Sequence, residues 1–354
     1  MHIEIERFTV HKRVALTISR GTKASSTNLW VRLRANDGDD GTEGWGEASP
    51  FSTGDQTQTT EQIEQDLQRA AIALQLFHPL ERQHIEALCS SLSICSAARA
   101  AIDVALHDWL GKQANLPLWQ LLGLDLENIG PTAVTVGISA PDAAVDRLQK
   151  WCAQQSVASV KVKLGSPSGI SADQAMFDAL LPHVPKGAKL SIDANGGWQL
   201  EDALTMAQWL AARGVVYLEQ PLSVDDDDLL PELFERSPLP IFIDESCFTS
   251  ADIYRLAHCV HGINIKLMKA GGLSEAQRMI HTAEACGLQV MFGCYSDSAI
   301  ANTALSHLSP LADHLDLDSH FNLKDDPFLG AQLKGGALVP NRRPGLGLSR
   351  HAKA

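Results

Sequence analysis

Apolar and polar side chains alternate from Met1 to about residue 35, through Ile3, Ile5, Phe8 and Val10 and then Leu29, Val31 and Leu33. A period of two marks a half-buried strand, so two strands are predicted here. Ser19-Arg-Gly-Thr-Lys-Ala24 between them reads as a polar, glycine-bearing loop. Asp37-Gly-Asp-Asp-Gly41 reads as a turn, Trp45 opens a third strand, and Ser49-Pro-Phe-Ser-Thr-Gly-Asp55 reads as a second loop. From residue 59 to 122 the period turns helical, most regularly over 97–112. Asp103 and His107 lie four apart there and read as a helix-surface or core pair rather than a metal site. Strands followed by helices predict an α+β unit.

After Pro131 the pattern changes. Short β-branched or apolar runs recur at 133–138, 157–164, 189–193, 215–219, 240–244, 262–267, 289–292 and 314–318, each followed by a helical stretch. Polar residues close these runs at Lys163, Asp193, Glu219, Asp244, Lys266 and Asp316. They recur about every 25 residues, with a doubled interval before Asp316, as in a (β/α) barrel. An open doubly wound sheet would need no such regular row. The segment 322–354 is too short for a domain and is expected to pack back on the N-terminal unit.

Composition narrows the choice. The chain of 354 residues is 45% hydrophobic, enough for a sizeable core, and its formal net charge is -13. That balance argues against nucleic acid or an anionic membrane as a partner, though not against an anionic small molecule. No run reaches transmembrane length, and the first residues alternate like a strand rather than forming a signal peptide's apolar core. The seven cysteines are scattered and form no Cys-x-x-Cys pair. They read as reduced thiols of a cytoplasmic protein.

Singly, each strand-end group has an ordinary reading. Lys161 and Lys163 share a strand face and could be solvated; Asp193-Ala-Asn-Gly196 could be a turn; Asp244-Glu-Ser246 could cap a helix. Together these readings fail. Asp193, Glu219 and Asp244 end three consecutive apolar runs, and neighbouring buried carboxylates repel one another unless a cation joins them. An all-oxygen set suits Mg²⁺, and no motif argues for zinc. Lysines flank the trio, Lys161 and Lys163 before it and Lys266 after it. In a closed ring they would face each other across the metal, as removal of a proton from one face of a carbon and its return to the other requires. A neighbouring ammonium and a divalent cation should lower the base lysine's pKa.

These motifs, with Arg20-Gly-Thr-Lys23, Gly44-Trp-Gly-Glu47, Leu106-His-Asp108, Leu218-Glu-Gln-Pro221, Ile265-Lys-Leu-Met-Lys-Ala-Gly-Gly272 and Pro344-Gly-Leu-Gly347, resemble the muconate-lactonizing subgroup of the enolase superfamily. Asp316-Leu-Asp318 at the eighth strand resembles its dipeptide epimerases, such as those acting on L-Ala-D/L-Glu. (This superfamily's pairing of a lysine or histidine base with Mg²⁺ is a known instance of pKa tuning.) The resemblance implies an enolase-like fold of the α/β class: an α+β capping domain over 1–125, completed by 322–354, on a (β/α)7β TIM-type barrel over 126–321. It implies one Mg²⁺ per subunit on Asp193, Glu219 and Asp244, with Asn195 and Glu245 supporting those ligands. Lys163 and Lys266 become the acid/base pair, Lys161 the tuner of Lys163, and Asp316 and Asp318 the site for a dipeptide's α-ammonium.

Side-chain specificity is expected from the capping loops. Where relatives that act on L-Ala-D/L-Glu carry an arginine, this chain has Lys23, with Arg20 nearby, so that dipeptide is the leading substrate. Asp297, after the seventh strand, is a candidate for a cationic side chain instead. The alternatives are a dipeptide epimerase of cationic or hydrophobic specificity, or a lyase of the muconate cycloisomerase or o-succinylbenzoate synthase type. A non-catalytic binding protein would have no use for the full lysine and carboxylate set. The expected partner is a small dipeptide, with a homo-oligomer as the expected assembly.

Overall fold

The computed structural model describes residues 1–36 and 41–351. The opening strands are long. His2–Ile18 pairs antiparallel with Gly21–Arg34, and Gly44–Ala48 pairs with the second of these. The loop expected over 19–24 therefore contracts to a turn at Ser19 and Arg20, which leaves Lys23 on a strand. The turn expected at 37–41 lies almost wholly outside the described residues.

The helical stretch resolves into Thr60–Ala73, Arg82–Ser91, Ser96–Gln113 and the short Leu118–Leu121. The longest is buried against the third strand, and two glycines allow the approach. A Cβ on Gly44 would lie 2.0 Å from the Ala105 carbonyl oxygen, and one on Gly46 1.9 Å from that of Ala101. Any side chain at either position would push strand from helix. Asp103 and His107 form a core polar pair at 3.3 Å; Arg82 donates to His107 Nε2 at 2.6 Å and Ser274 to Asp103 Oδ1 at 2.5 Å.

Eight parallel strands follow: Val134–Val136, Ser159–Lys163, Lys189–Asp193, Val215–Glu219, Ile241–Ile243, Gly262–Ile265, Gln289–Phe292 and His314–Leu315. Each bonds to the next, and a parallel bridge from Thr132 to Leu315 closes the ring. Helices fill the seven connections. After the eighth strand, where a helical stretch is expected, the described chain makes the 3₁₀ turn Ser319–Asn322 and then only short strands, Phe328–Leu329, Gln332–Lys334, Ala337–Val339 and Ser349–Arg350. The fold is thus a (β/α)7β barrel under an α+β cap. Strands covered on both faces read as continuous apolar runs, which is why their polar ends stood out in the sequence.

The last residues return to the cap. Lys12 bridges to Leu323, and Phe328 packs its ring at 5.2 Å from Trp30 and 5.3 Å from Phe8. Asp108 accepts the backbone N–H groups of Trp45 (2.8 Å) and Leu346 (2.7 Å), tying the glycine-rich tail to the long helix. Glu47, at the end of the third cap strand, accepts from Ser298 N (2.9 Å) and Ala301 N (3.1 Å) at the start of helix Ala299–Ser306. A cap carboxylate thus secures the loop that leaves the seventh barrel strand. Among the described residues no helix is long and apolar enough to cross a membrane, and all seven cysteines are free thiols.

His307 makes a second tie. Its Nδ1 accepts from Trp119 N at 3.1 Å, and its Nε2 donates to Leu346 O at 3.3 Å. Burial lowers its pKa to about 4. The folded state holds it neutral while the unfolded chain protonates near 6.5, so its contribution is full above that value and is lost as pH falls to about 4. That loss amounts to about 3 kcal/mol. Urea unfolding across this range should show the decline, and His307→Gln should flatten it by a comparable amount.

Candidate active site

The polar strand ends converge at the C-terminal mouth of the barrel. Lys161 and Lys163 both project inward from the second strand. The fully buried Lys161 ammonium lies 2.6 Å from Glu219 Oε2, 2.8 Å from Asp316 Oδ2 and 3.3 Å from Asp193 Oδ2. Lys163 donates to Asp193 Oδ2. Across the ring, Lys266 donates to Asp244 Oδ2 at 2.6 Å. Lys163 ends strand two and Lys266 follows strand six, half a turn apart in an eight-stranded barrel. Both line one cavity of about 250 Å³ with Leu16, Ile18, Pro50 and Tyr295.

The carboxylates are supported from behind. Asn195 donates its backbone N–H to Asp193 Oδ1 (2.8 Å) and its amide to Asp193 Oδ2 (3.2 Å) and Glu245 Oε1 (3.1 Å). Asn264 donates to Glu219 Oε1 at 2.7 Å, and Gln220 accepts the Asp244 N–H at 2.8 Å. Lys269 lies 2.6 Å from Asp244 Oδ1 and also donates to the carbonyls of Asp244, Cys247 (2.8 Å) and Asn264 (3.2 Å). Sequence reasoning gave Lys269 no role of its own and missed Asn264. The signal for Asn264 was its place two residues before Lys266, on the same strand face.

Among the described residues no three acidic, histidine or cysteine groups form a ready-made metal cage. Asp193, Glu219 and Asp244 are nevertheless close enough to repel one another. Glu219 Oε2 and Asp244 Oδ1 sit beside lysines but accept no well-directed hydrogen bond, as does Asn195 Oδ1 without any ion pair. Buried oxygens left short of donors in an acidic cluster fit a hard cation. Burial and Asp193 raise Glu219 to about 7. Burial opposes the charge on Asp244, but Lys266 and Lys269 outweigh it and hold the carboxyl well below its usual range. Burial likewise opposes the charge on Lys161, yet Asp316, Glu219 and Asp193 raise it well above the ordinary lysine value; Asp244 does the same for Lys266.

At the eighth strand Thr135 donates its Oγ1 to Asp316 (3.1 Å) and its N–H to Asp318 (2.7 Å). Both acids line a chamber of about 40 Å³ that also touches Lys163. Burial and Asp316 raise Asp318 to about 6.

The specificity candidates separate. Arg20 donates to Glu245 Oε1 (2.7 Å) and to the Asn195 carbonyl (2.8 Å), so the cap braces both residues through it. Lys23 is exposed on the cavity wall, where burial of part of its side chain and Arg20 lower its pKa. Asp297 is outside that wall; it accepts from Ser49 and from Tyr295 N at 3.1 Å. Lys12, which the sequence did not single out, lines both chambers from the cap.

A capped parallel barrel with carboxylates on strands three to five and lysines on strands two and six defines an enolase-type enzyme. Family models agree: "Mandelate racemase / muconate lactonizing enzyme, N-terminal domain" matches residues 3–123, and "Enolase C-terminal domain-like" matches residues 143–354. The chain belongs to this family. It is 42% identical over 349 residues to a protein named hydrophobic dipeptide epimerase from Flavobacteria bacterium strain MS024-2A, covering 98% of this chain and 97% of the other. It is 34% identical to the L-Ala-D/L-Glu epimerase of Bacteroides thetaiotaomicron, covering 96% and 85%. The dipeptide epimerase of Enterococcus faecalis V583, solved with Mg and L-Leu-L-Tyr, superposes with a TM-score of 0.90 at 30% identity, over 98% of this chain and 99% of that one.

Lys269→Met removes one ammonium from buried Asp244 and the donor of three carbonyls. A loss of about 3 kcal/mol is expected for breaking such a buried pair. Urea unfolding in EDTA measures it, and a change within 0.5 kcal/mol, roughly that of a neutral surface substitution, would rule out this role.

Proposed function

We propose that this protein is a Mg²⁺-dependent dipeptide epimerase, an isomerase that inverts the α-carbon of a dipeptide's C-terminal residue. The observation that carries this reading is the opposition of Lys163 and Lys266 across one cavity above Asp193, Glu219 and Asp244. Those three carboxylates hold Mg²⁺, which when bound stabilises the negative charge that develops on the substrate's terminal carboxylate. One lysine takes the α-proton from one face and the other returns a proton to the opposite face. Lys161 does not line the cavity; it fixes Glu219, Asp193 and Asp316, and its charge favours the anion that forms and tunes Lys163. Asn195 and Glu245 hold the ligand carboxylates in place.

Asp316 and Asp318 take the dipeptide's free ammonium. That role favours an epimerase over a cycloisomerase or o-succinylbenzoate synthase, whose substrates carry no such group. The barrel, 126–321, supplies the chemistry, and the cap, 1–125 with 322–354, supplies specificity. Leu16, Ile18, Pro50 and Tyr295 give the wall an apolar patch that favours a hydrophobic side chain, in keeping with the name of the 42% identical relative. Lys23 supports a second reading, L-Ala-D/L-Glu, because it brings an ammonium to the same wall. Free cysteines support a cytoplasmic location, and the exposed Ile72, Leu76 and Leu80 support a homo-oligomer.

A panel of L,L-dipeptides in D₂O with Mg²⁺, followed by proton NMR, tests the reaction. Exchange at the C-terminal α-position is expected, first with hydrophobic dipeptides. Its absence from the whole panel refutes the reading. EDTA should abolish exchange and Mg²⁺ restore it. Lys163→Ala and Lys266→Ala should each lower epimerisation by about 10³-fold, while exchange starting from one epimer survives. Asp316→Asn should raise KM by roughly tenfold or more, the worth of one charged hydrogen bond.

A further inference from the structure

Tyr295 is the first side chain after the Gly293-Cys294 pair that leaves barrel strand seven. Its ring is sandwiched. On one side it stacks on Phe51 of the cap, centroids 4.7 Å apart and 13° from parallel. On another the Lys266 ammonium sits 4.4 Å from the ring centroid. The ring lines the same cavity as Lys163 and Lys266. Its hydroxyl is buried and has no hydrogen-bond partner.

An unpaired buried hydroxyl is costly, roughly 1–3 kcal/mol, and a folded protein seldom keeps one without use. Lys266, whose ammonium rests against the ring, also donates to Asp244 Oδ2 at 2.6 Å, so the ring lies at the Asp244 end of the cavity. Acceptor oxygens of the acidic cluster, Glu219 Oε2, Asp244 Oδ1 and Glu245 Oε2, also lack a directed donor. Burial raises the phenol's pKa well above its usual value, so it keeps its proton at neutral pH. A donor without an acceptor, beside acceptors that a cation would occupy, calls for a ligand that brings an oxygen of its own.

We propose that the Tyr295 hydroxyl donates a hydrogen bond to the carboxylate of the bound substrate, with Phe51 holding the ring in position. This rests on the dipeptide-epimerase reading, because it is that substrate's terminal carboxylate that lies above the metal ligands. Tyr295 is then a substrate-binding residue contributed by the seventh strand. Its ring serves a second purpose: it covers one side of Lys266 and keeps water from the ammonium.

Tyr295→Phe separates the two, since it removes the hydroxyl and keeps the stack. Calorimetry with Mg²⁺ alone, calorimetry with an L,L-dipeptide in the presence of Mg²⁺, and α-proton exchange kinetics are run on wild type and variant. The variant should bind Mg²⁺ like wild type, bind dipeptide roughly tenfold more weakly, raise KM to match, and leave kcat within about twofold. Unchanged dipeptide affinity with an active wild type overturns this inference and leaves the epimerase reading standing. Weaker Mg²⁺ binding, or a kcat loss without a change in KM, also overturns it, because the hydroxyl would then support the scaffold or the transition state alone. A wild type that exchanges no dipeptide fails the functional reading itself, and this inference with it.

Discussion

The structure depends on a balance of buried charge. Four carboxylates, Asp193, Glu219, Asp244 and Asp316, meet four ammonium groups, Lys161, Lys163, Lys266 and Lys269, in ion pairs at the barrel mouth. Taking each ion out of water costs several kcal/mol, so either set alone would be untenable. Together they are near neutrality, and each is held by further donors or acceptors. The lysines that would move protons are thus also the groups that make a cluster of buried carboxylates tolerable in the folded chain. A cation entering the site would replace part of their attraction for the carboxylates and leave their ammoniums less firmly bound.

The two lysines of the second strand illustrate how burial divides similar residues. Both point inward, as a two-residue spacing requires. Lys161, deeper in the barrel, is surrounded by three carboxylates and has no access to the cavity. Lys163, one step nearer the mouth, touches Asp193 and lines the cavity wall. The same division separates Lys266 from Lys269: the first reaches the cavity, while the second is spent on Asp244 and three carbonyls. Depth along the barrel axis separates the first pair, and the side of Asp244 each lysine approaches separates the second.

The cap acts on this centre at three points. Arg20 reaches from the hairpin turn to Glu245 and the Asn195 carbonyl, Glu47 secures the loop after strand seven, and Phe51 stacks on Tyr295 from that loop. The residues that shape the cavity thus come from segments remote in sequence, and a cap substitution can alter the site without touching a barrel residue. The tail completes the arrangement through Asp108, His307 and Phe328, which bind it to the cap and to the barrel's last helix.

Much of this was legible in the chain. Strands buried on both faces must be apolar, so a charged residue at their ends is visible against its surroundings; eight such runs at a regular interval imply the barrel, and the row from Lys163 to Asp318 implies its chemistry. Alternation likewise predicts the capping strands. What the sequence could not convey was which of these groups meet. Lys12 and Tyr295 carry no local pattern, Arg20 and Lys23 look interchangeable in one polar stretch, and Asp297 looks available. Only the closed tertiary structure commits Arg20 to Glu245, turns Asp297 toward Ser49, leaves Lys23 on the wall and sets Tyr295 beside Lys266. The reason is physical: periodicity reports the face on which a side chain lies, whereas its partner is chosen by long-range packing between cap and barrel.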